Sequence, residues 1–464
     1  MSMASGETAL RDYVAARATE RWLWDRGRSV CLTDLHSGTT LGAGLPSLAG
    51  RSVLVAAENQ LNAALALIEL DGIARRVVIL PPGVEFGHLA EIIAASQVDA
   101  AVIDSGSPSL TTLGLPIQVS CEPSIIRTTE DPANRISTEW VLVTSGTTGV
   151  PKMVVHNLAS LTAPLQAPSP ADGATVWGTF YDIRRYGGLQ IYLRALLGGA
   201  SLVLSNPEES VADHLARLAQ REMTHLSGTP SHWRRALMNP AIEKIAPRYV
   251  RLSGEIADQA LLDGLRATFP QAVVGHAYAS TEAGVAFDVN DSRAGFPADY
   301  FAVTRDDVEM KVVDGSLRIR SPRTASAYLG AAPPLAAADG FVDTGDIVEQ
   351  HGDRCFFAGR KGGIINIGGM KVHPEEVEAV INRHPRVRMS LVRGRQSPIT
   401  GSVVVADVVL SSGQNLEGKR QIEVKNDILK FCSNALPRHK VPASISFVPK
   451  LDVAATGKLV RRQG

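Results

Sequence analysis

The chain has 464 residues, too many for one small domain and enough for a substantial core. Hydrophobic residues make up 45% and charged residues 20%, an ordinary globular profile, and Lys+Arg match Asp+Glu at 47 each, so no global field draws nucleic acid or an anionic membrane. Cys31, Cys121, Cys355 and Cys432 lie far apart without CxxC spacing, which argues against a disulfide framework or zinc site and for reduced thiols in a cytoplasm. Residues Met1 to Arg11 are polar and unlike a signal peptide. No apolar run approaches the roughly 18 residues of a membrane helix, so a cytoplasmic protein without an integral membrane segment is expected.

From residue 53 to 104 apolar runs alternate with helical stretches. Val53 to Ala56, Val77 to Leu80 and Ala101 to Ile103 read as buried strands; Leu61 to Leu70 and the segment around Leu89 to Ile93 read as helices. That rhythm predicts right-handed crossovers and a parallel sheet covered on both faces. Trp140 to Val143 is a further buried strand, and it empties into Ser145-Gly146-Thr147-Thr148-Gly149-Val150-Pro151-Lys152. Glycines let backbone amides approach phosphate oxygens, hydroxyls add donors, and the lysine adds a point charge. The usual nucleotide loop GxxxxGK[ST] does not fit this segment.

Helical stripes recur at Val211, Leu215 and Leu218 and at Leu261, Leu265 and Phe269, with a strand at Val273-Val274. Near residue 303 the pattern changes to short alternating segments with turns at Asp314-Gly315 and Gly352-Asp353, which predicts antiparallel β structure. A glycine-rich stretch, Gly359-Arg360-Lys361-Gly362-Gly363, precedes a small α+β unit. In that unit Glu375 to Ile381 is a helix with Pro374 near its first turn, Val403 to Leu410 a strand, and Ile422 to Leu436 a second helix.

The octapeptide at Ser145 resembles the ATP-phosphate loop of the adenylate-forming superfamily: acyl- and aryl-CoA synthetases, luciferases and peptide-synthetase adenylation domains. Four more segments resemble that family's motifs in the family's order: Tyr278-Ala279-Ser280-Thr281-Glu282, Asp343-Thr344-Gly345-Asp346, Gly359-Arg360 and Thr456-Gly457-Lys458. Together they cover roughly the last two-thirds of the chain. The resemblance, closest to AMP-forming acyl-CoA ligases, implies an α/β fold. A large N-terminal domain of parallel α/β sheets with a β-barrel-like part is expected at 1–359, a hinge at 360–363 and a small mobile α+β domain at 364–464.

It also implies a reaction in two halves, in which a carboxylate takes the AMP of ATP and a thiol then displaces it. By resemblance, Ser145, Gly146, Thr147, Thr148, Gly149 and Lys152 hold the β- and γ-phosphates. Thr281 donates to the α-phosphate and Glu282 holds Mg²⁺ as a hard oxygen ligand. Asp346 and Arg360 meet the ribose, Gly254 and Glu255 lie beside the adenine, and His276 and Tyr278 occupy the stretch that stacks on it. Lys458, on the mobile tail, bridges the carboxylate and α-phosphate during adenylation only.

Three segments depart from the family pattern. Gly362 stands where the hinge usually has a side chain, Ala279 replaces a glycine at the acid pocket floor, and Leu451 to Ala454 replace a Pro-basic-Thr run.

Trp177, Tyr181, Gly187, Ser253 and Ala279 are candidates for the acid pocket. The family's usual aromatic-His pair is replaced near Tyr181-Asp182, and with no fixed cation in view a monocarboxylic aryl or medium acyl acid is expected. Gly368 and Gly369, in a segment resembling the CoA-ligase version of its motif, are expected to line a pantetheine tunnel. The implied function is therefore an AMP-forming acyl- or aryl-CoA ligase using ATP, Mg²⁺ and CoA. Transfer to a separate carrier protein's phosphopantetheine or to an amine is the alternative, and a non-catalytic nucleotide-binding scaffold is a third. Lys152, Glu282, Asp346 and Lys458 argue against the scaffold. The oligomeric state is left open, a homodimer included.

Overall fold

The fold is that of a computed structural model, which describes residues 8–15, 20–107, 114–128, 135–144, 151–165, 175–305, 307–330, 333–367, 370–397, 401–411, 418–453 and 458–460. Two large sheets build the first part of the chain. One has seven strands in the order Ala327–Leu329, Lys152–Asn157, Glu139–Thr144, Arg76–Ile79, Ser52–Val55, Ala100–Asp104 and Ile117–Cys121. The other has eight, in the order Gly284–Val289, Val273–Ser280, Tyr249–Ser253, His225–Gly228, Val176–Thr179, Ser201–Val203, Trp22–Trp24 and Ser29–Cys31.

Helices Gln60–Leu70 and Tyr186–Gly198 lie in the main core with residues of both sheets. Every residue of Gln60–Leu70 is buried, which explains its near-continuous apolar sequence. Asn59 starts it by accepting the Leu61 and Asn62 amides on its side chain. Tyr192 ties the two helices by donating its hydroxyl to the Ala64 carbonyl at 2.6 Å. The predicted strands and helices between residues 53 and 104 all form, each within a few residues of its expected bounds.

In the eight-stranded sheet, Val176–Thr179, His225–Gly228, Tyr249–Ser253 and Val273–Ser280 run parallel in successive pairs. Their carboxyl ends therefore open on one edge, the usual place for a ligand in an α/β sheet. Gly284–Val289 turns back antiparallel beside Val273–Ser280, with a register shift between Tyr278 and Ala279.

The predicted antiparallel region is a five-stranded sheet ordered Phe296–Pro297, Arg354–Arg360, Val342–His351, Ser316–Arg320, Glu309–Val313. Asp314 and Gly315 both take positive φ, 52° and 76°, which fits the tight hairpin between the last two strands in that order. Gly359-Arg360 is not a loose linker: it ends a strand, and Arg360 pairs in register with Asp346. Lys361–Gly363 then makes a single 3₁₀ turn.

Beyond this turn a separate core forms from residues between Ile365 and Ile445, under the sheet Val387–Ser397, Gly401–Leu410, Ser444–Phe447 and the helices Pro374–Ile381 and Gly418–Ala435. Among the described residues no helix is long and apolar enough to cross a membrane.

Candidate active site

The C-terminal loop returns to the carboxyl edge of the eight-stranded sheet. Strand Tyr249–Ser253 ends there at Gly254, whose φ of +88° suits glycine. A Cβ on Gly254 would stand 3.4 Å from Lys458 Cε and 4.0 Å from its Nζ. Glu255, the next residue, accepts the Ser231 amide at 2.9 Å, the Ser231 hydroxyl at 3.0 Å and the Leu459 amide at 3.1 Å. The expectation that Glu255 lies beside the adenine is thus joined by a definite structural task, holding the residue after Lys458. Ser231 is itself fixed because Thr229 caps the helix Pro230–Leu237, with proline at its first turn.

Loss of hydration in the cleft, then the like charge of Arg360, hold the Lys458 ammonium below its ordinary pKa, while Glu255, Asp346 and Glu282 oppose them. The side chain still keeps solvent-accessible surface, so it is dehydrated only in part.

Asp346, whose charge reaches this lysine, has both oxygens engaged. Arg360 Nε donates to Oδ1 at 2.9 Å and the Tyr278 hydroxyl donates to Oδ2 at 2.5 Å. The Tyr278 ring stacks on Phe357, with centroids 4.6 Å apart, and more loosely on Phe287 at 5.7 Å. Its place is therefore set by aromatic packing as well as by its strand. His276 shares a strand face with Tyr278 but sends Nε2 to the Arg293 carbonyl at 3.0 Å, which makes Nε2 the protonated nitrogen.

Thr281 and Glu282 follow directly on strand Val273–Ser280. The Thr281 carbonyl accepts from His156 Nε2 at 2.7 Å, and burial pushes the His156 pKa down to about 4, so this donor is a neutral imidazole. Glu282 Oε1 accepts the Tyr328 hydroxyl at 3.2 Å, and Lys152 Nζ lies 5.4 Å from the centre of the same Tyr328 ring. Tyr328 thus links two residues that sequence reasoning chose separately, and it was itself missed. Its sequence signal is a lone aromatic residue between Ala327 and Leu329. Lys152 opens the strand Lys152–Asn157 and is exposed. Ser145, Gly146, Thr147, Thr148 and Gly149 lie outside the described residues, as do Gly368, Gly369, Thr456 and Gly457.

Among the described residues no group of three or more His, Cys, Asp or Glu side chains could cage a metal. A single carboxylate such as Glu282 suits Mg²⁺, which keeps several waters and is bound through one or two carboxylates and substrate phosphates.

The expected acid pocket is brought together in part. The Tyr181 hydroxyl donates to the Ser253 carbonyl at 2.7 Å, and a Cβ on Gly187 would meet the Tyr181 ring at 3.6 Å. Ala279, at the register shift, packs against the main core. Trp177 is corrected: it is buried, with its ring 4.9 Å from His225 and edge-on to Tyr249, and it serves as core at the inner part of its strand. Two further residues were missed. His232 stacks on Phe180 at 5.5 Å and meets Tyr181 edge-on at 5.8 Å, so an imidazole reaches this aromatic pair from another element. Burial, then the charges of Arg235 and His214, push its pKa down to about 3, so it is neutral. The other is Arg251, buried two residues before Ser253 on the same strand.

Gly362, the expected hinge residue, sits in the 3₁₀ turn with nothing within 4 Å of an added Cβ. Gly359 is the crowded glycine of this segment: with φ +138°, its Cβ would stand 2.5 Å from Glu375 Oε2 on the first turn of helix Pro374–Ile381.

Family models match here. The AMP-binding enzyme model covers residues 47–329 and the AMP-binding enzyme C-terminal domain model covers 376–458. The chain belongs to the AMP-binding, adenylate-forming enzymes. 4-coumarate–CoA ligase 2 of Oryza sativa subsp. japonica is 26% identical over 351 residues, 69% of this chain and 60% of that enzyme. The 2-succinylbenzoate–CoA ligase of Salmonella typhimurium is 27% identical over 353 residues, 74% of this chain and 73% of that enzyme. The match to the rice ligase thus spans about three-fifths of its length. In fold, the crystal structure of the anthranilate CoA ligase AuaEII in complex with anthranoyl-AMP superposes with a TM-score of 0.80 over 98% of this chain and 96% of that one, at 16% identity.

Proposed function

We propose that the chain is an AMP-forming acid–thiol ligase. A carboxylate oxygen of the acid attacks the α-phosphorus of ATP, the bond to pyrophosphate breaks, and an acyl-adenylate forms. The sulfur of CoA then attacks the acyl carbon, its proton passes to solvent, and AMP leaves. The observation that carries this reading is Lys458, delivered by the C-terminal loop to Gly254 while Glu255 holds Leu459. A carboxylate and a phosphate repel, and an ammonium between them offsets the charge where it concentrates in the transition state.

In this scheme Asp346, held by Tyr278 and Arg360, accepts the ribose hydroxyls. Lys152 meets the terminal phosphates with the Ser145–Gly149 loop, Thr281 donates to the α-phosphate, and Gly254 and His276 border the base. Bound Mg²⁺, which Glu282 would hold, supplies charge neutralisation to the leaving pyrophosphate. The acid lies along Tyr181, Gly187, Ser253 and Ala279. Between the half-reactions the unit after Gly362 turns away, removing Lys458 and giving the Gly368-Gly369 segment access for the thiol. The curated ligases named above support CoA as the acceptor.

Incubation with ATP, Mg²⁺ and pooled carboxylic acids, followed by mass spectrometry, tests the reading. An acyl-adenylate that becomes a CoA thioester when CoA is added is the expected result. An adenylate that reacts only with a carrier thiol or an amine moves the acceptor away from CoA, and no adenylate from any acid refutes the function.

A further inference from the structure

We infer that the acid this site activates carries a second oxygen anion at its far end, received by Arg251; this rests on the acid-activating function proposed above. Side chains along a strand alternate, so Tyr249, Arg251 and Ser253 point to the same face of strand Tyr249–Ser253. Ser253 marks the near end of the acid-binding face, beside Gly254 and Lys458. Arg251 lies two residues further in, about 7 Å at the rise of a strand. Ser253 pairs with Ala277, which pairs in turn with Asp288, and Ala279 follows Ala277 on that face. Ser253, Ala277 and Ala279 are small residues on this face, and the spacing of about 7 Å from Ser253 to Arg251 is a length that a benzoate or a six-carbon acid would span.

Arg251 is buried, and one carboxylate meets its charge. Its Nε donates to Asp288 Oδ1 at 3.0 Å. Its Nη2 lies 2.7 Å from the same oxygen in an ion pair, though not aligned to hydrogen-bond there, and the Tyr249 hydroxyl on the same strand face also bonds the Arg251 side chain. Arg194, on the helix that begins beside Gly187, and Arg323 share the field of Asp288. Burial alone would push the Asp288 carboxyl up, yet Arg251, Arg194 and Arg323 together hold it below the usual range. Three guanidiniums around one carboxylate leave positive charge in excess. An anionic group of the ligand would offset that excess. Arg323 is occupied by the Val285 and Ala286 carbonyls at 2.9 and 3.4 Å, which leaves Arg251 and Arg194 as the recognising pair. The expectation of a monocarboxylic acid rested on no cation being in view. Alternation along the strand places Arg251 on the face of Ser253.

Pyrophosphate release over a broad panel of matched acids, such as 4-methylbenzoate with 4-carboxybenzoate and heptanoate with adipate, tests this. Wild type should favour the anion-tipped member of its preferred pair by at least about tenfold in kcat/KM. Arg251→Met should erase or reverse that preference while leaving the KM for ATP unchanged. Should Arg251→Met not fold, Arg194→Met serves instead, with a raised KM confined to anion-tipped acids. Wild-type preference for methyl-tipped acids, or an order unchanged in a folded variant, overturns the inference and leaves acid activation standing. No pyrophosphate from any acid overturns both.

Discussion

Leu459 donates its backbone N–H to the Glu255 carboxylate at 3.1 Å, one residue beyond Lys458 and one residue after Gly254. The same carboxylate accepts the amide and hydroxyl of Ser231, so the contact joins the C-terminal loop to a rigid helix start. A hydrogen bond to a charged acceptor contributes about 1.5–3 kcal/mol. Glu255→Ala should therefore slow adenylation by about 10–100-fold. Conversion of supplied acyl-adenylate to thioester should stay close to wild type, because the latch belongs to one orientation of the loop. Glu255→Gln, which keeps an acceptor oxygen, should restore part of the loss. Equal slowing of both half-reactions would reduce Glu255 to a structural role.

The Lys458 pKa yields a pH profile. Lost hydration and Arg360 lower it from 10.5, so the charged form that adenylation needs disappears as pH rises through that lowered value. Adenylation should fall on an alkaline limb that begins below the ordinary lysine range, and thioester formation from acyl-adenylate should lack that limb. Since Glu255 supports the ammonium, Glu255→Gln should move the limb to still lower pH. A limb present in both half-reactions contradicts the assignment.

Two glycines three residues apart should behave oppositely. Gly359→Ala forces a strained φ and drives a methyl group to 2.5 Å from Glu375 Oε2. It should lower thermal stability by about 1–3 kcal/mol and disturb docking of the C-terminal unit. Gly362→Ala meets nothing within 4 Å and should be nearly silent in a melt. Gly362→Pro fixes φ and restricts Lys361, so it should trap one orientation and spare one half-reaction at the expense of the other. If Gly362→Pro leaves both half-reactions at wild-type rates, the pivot lies elsewhere.

The sequence alone revealed the parallel α/β rhythm because buried strands such as Ser52–Val55 and the all-buried helix Gln60–Leu70 are mostly apolar. It also paired Asp346 with Arg360 in one site, since both stand in short ordered motifs. Contacts between distant elements were not legible. Tyr181 on Ser253, Tyr328 between Lys152 and Glu282, and Glu255 under Leu459 each join residues tens to hundreds of positions apart, and one sequence carries no signal of that pairing. Trp177 failed for a different reason, because an aromatic residue on a buried strand reads the same whether it lines a pocket or fills the core. Arg251 left a faint mark, a lone charge between Val250 and Leu252, whose alternation puts it on the same strand face as Ser253.

Asp346→Ala should weaken ATP and a non-hydrolysable acyl-adenylate analogue together, since the ribose is common to both. Tyr278→Phe keeps the stacking on Phe357 but frees one carboxylate oxygen, so its effect should be smaller, on the order of 1 kcal/mol. Titration calorimetry with both ligands checks this, and an unchanged affinity for the analogue in Asp346→Ala removes Asp346 from the ribose.

In the proposed reaction the C-terminal loop brings Lys458 to the site for acid activation and for that step alone. The direct measurement is the rate of each half-reaction in Lys458→Ala. ATP-dependent acyl-adenylate formation should fall by about 100-fold or more, the scale of removing a charge that stabilises a transition state. Thioester formation from purified acyl-adenylate and CoA should remain near wild type. Normal adenylation in the folded variant, or equal loss in both steps, would contradict the account.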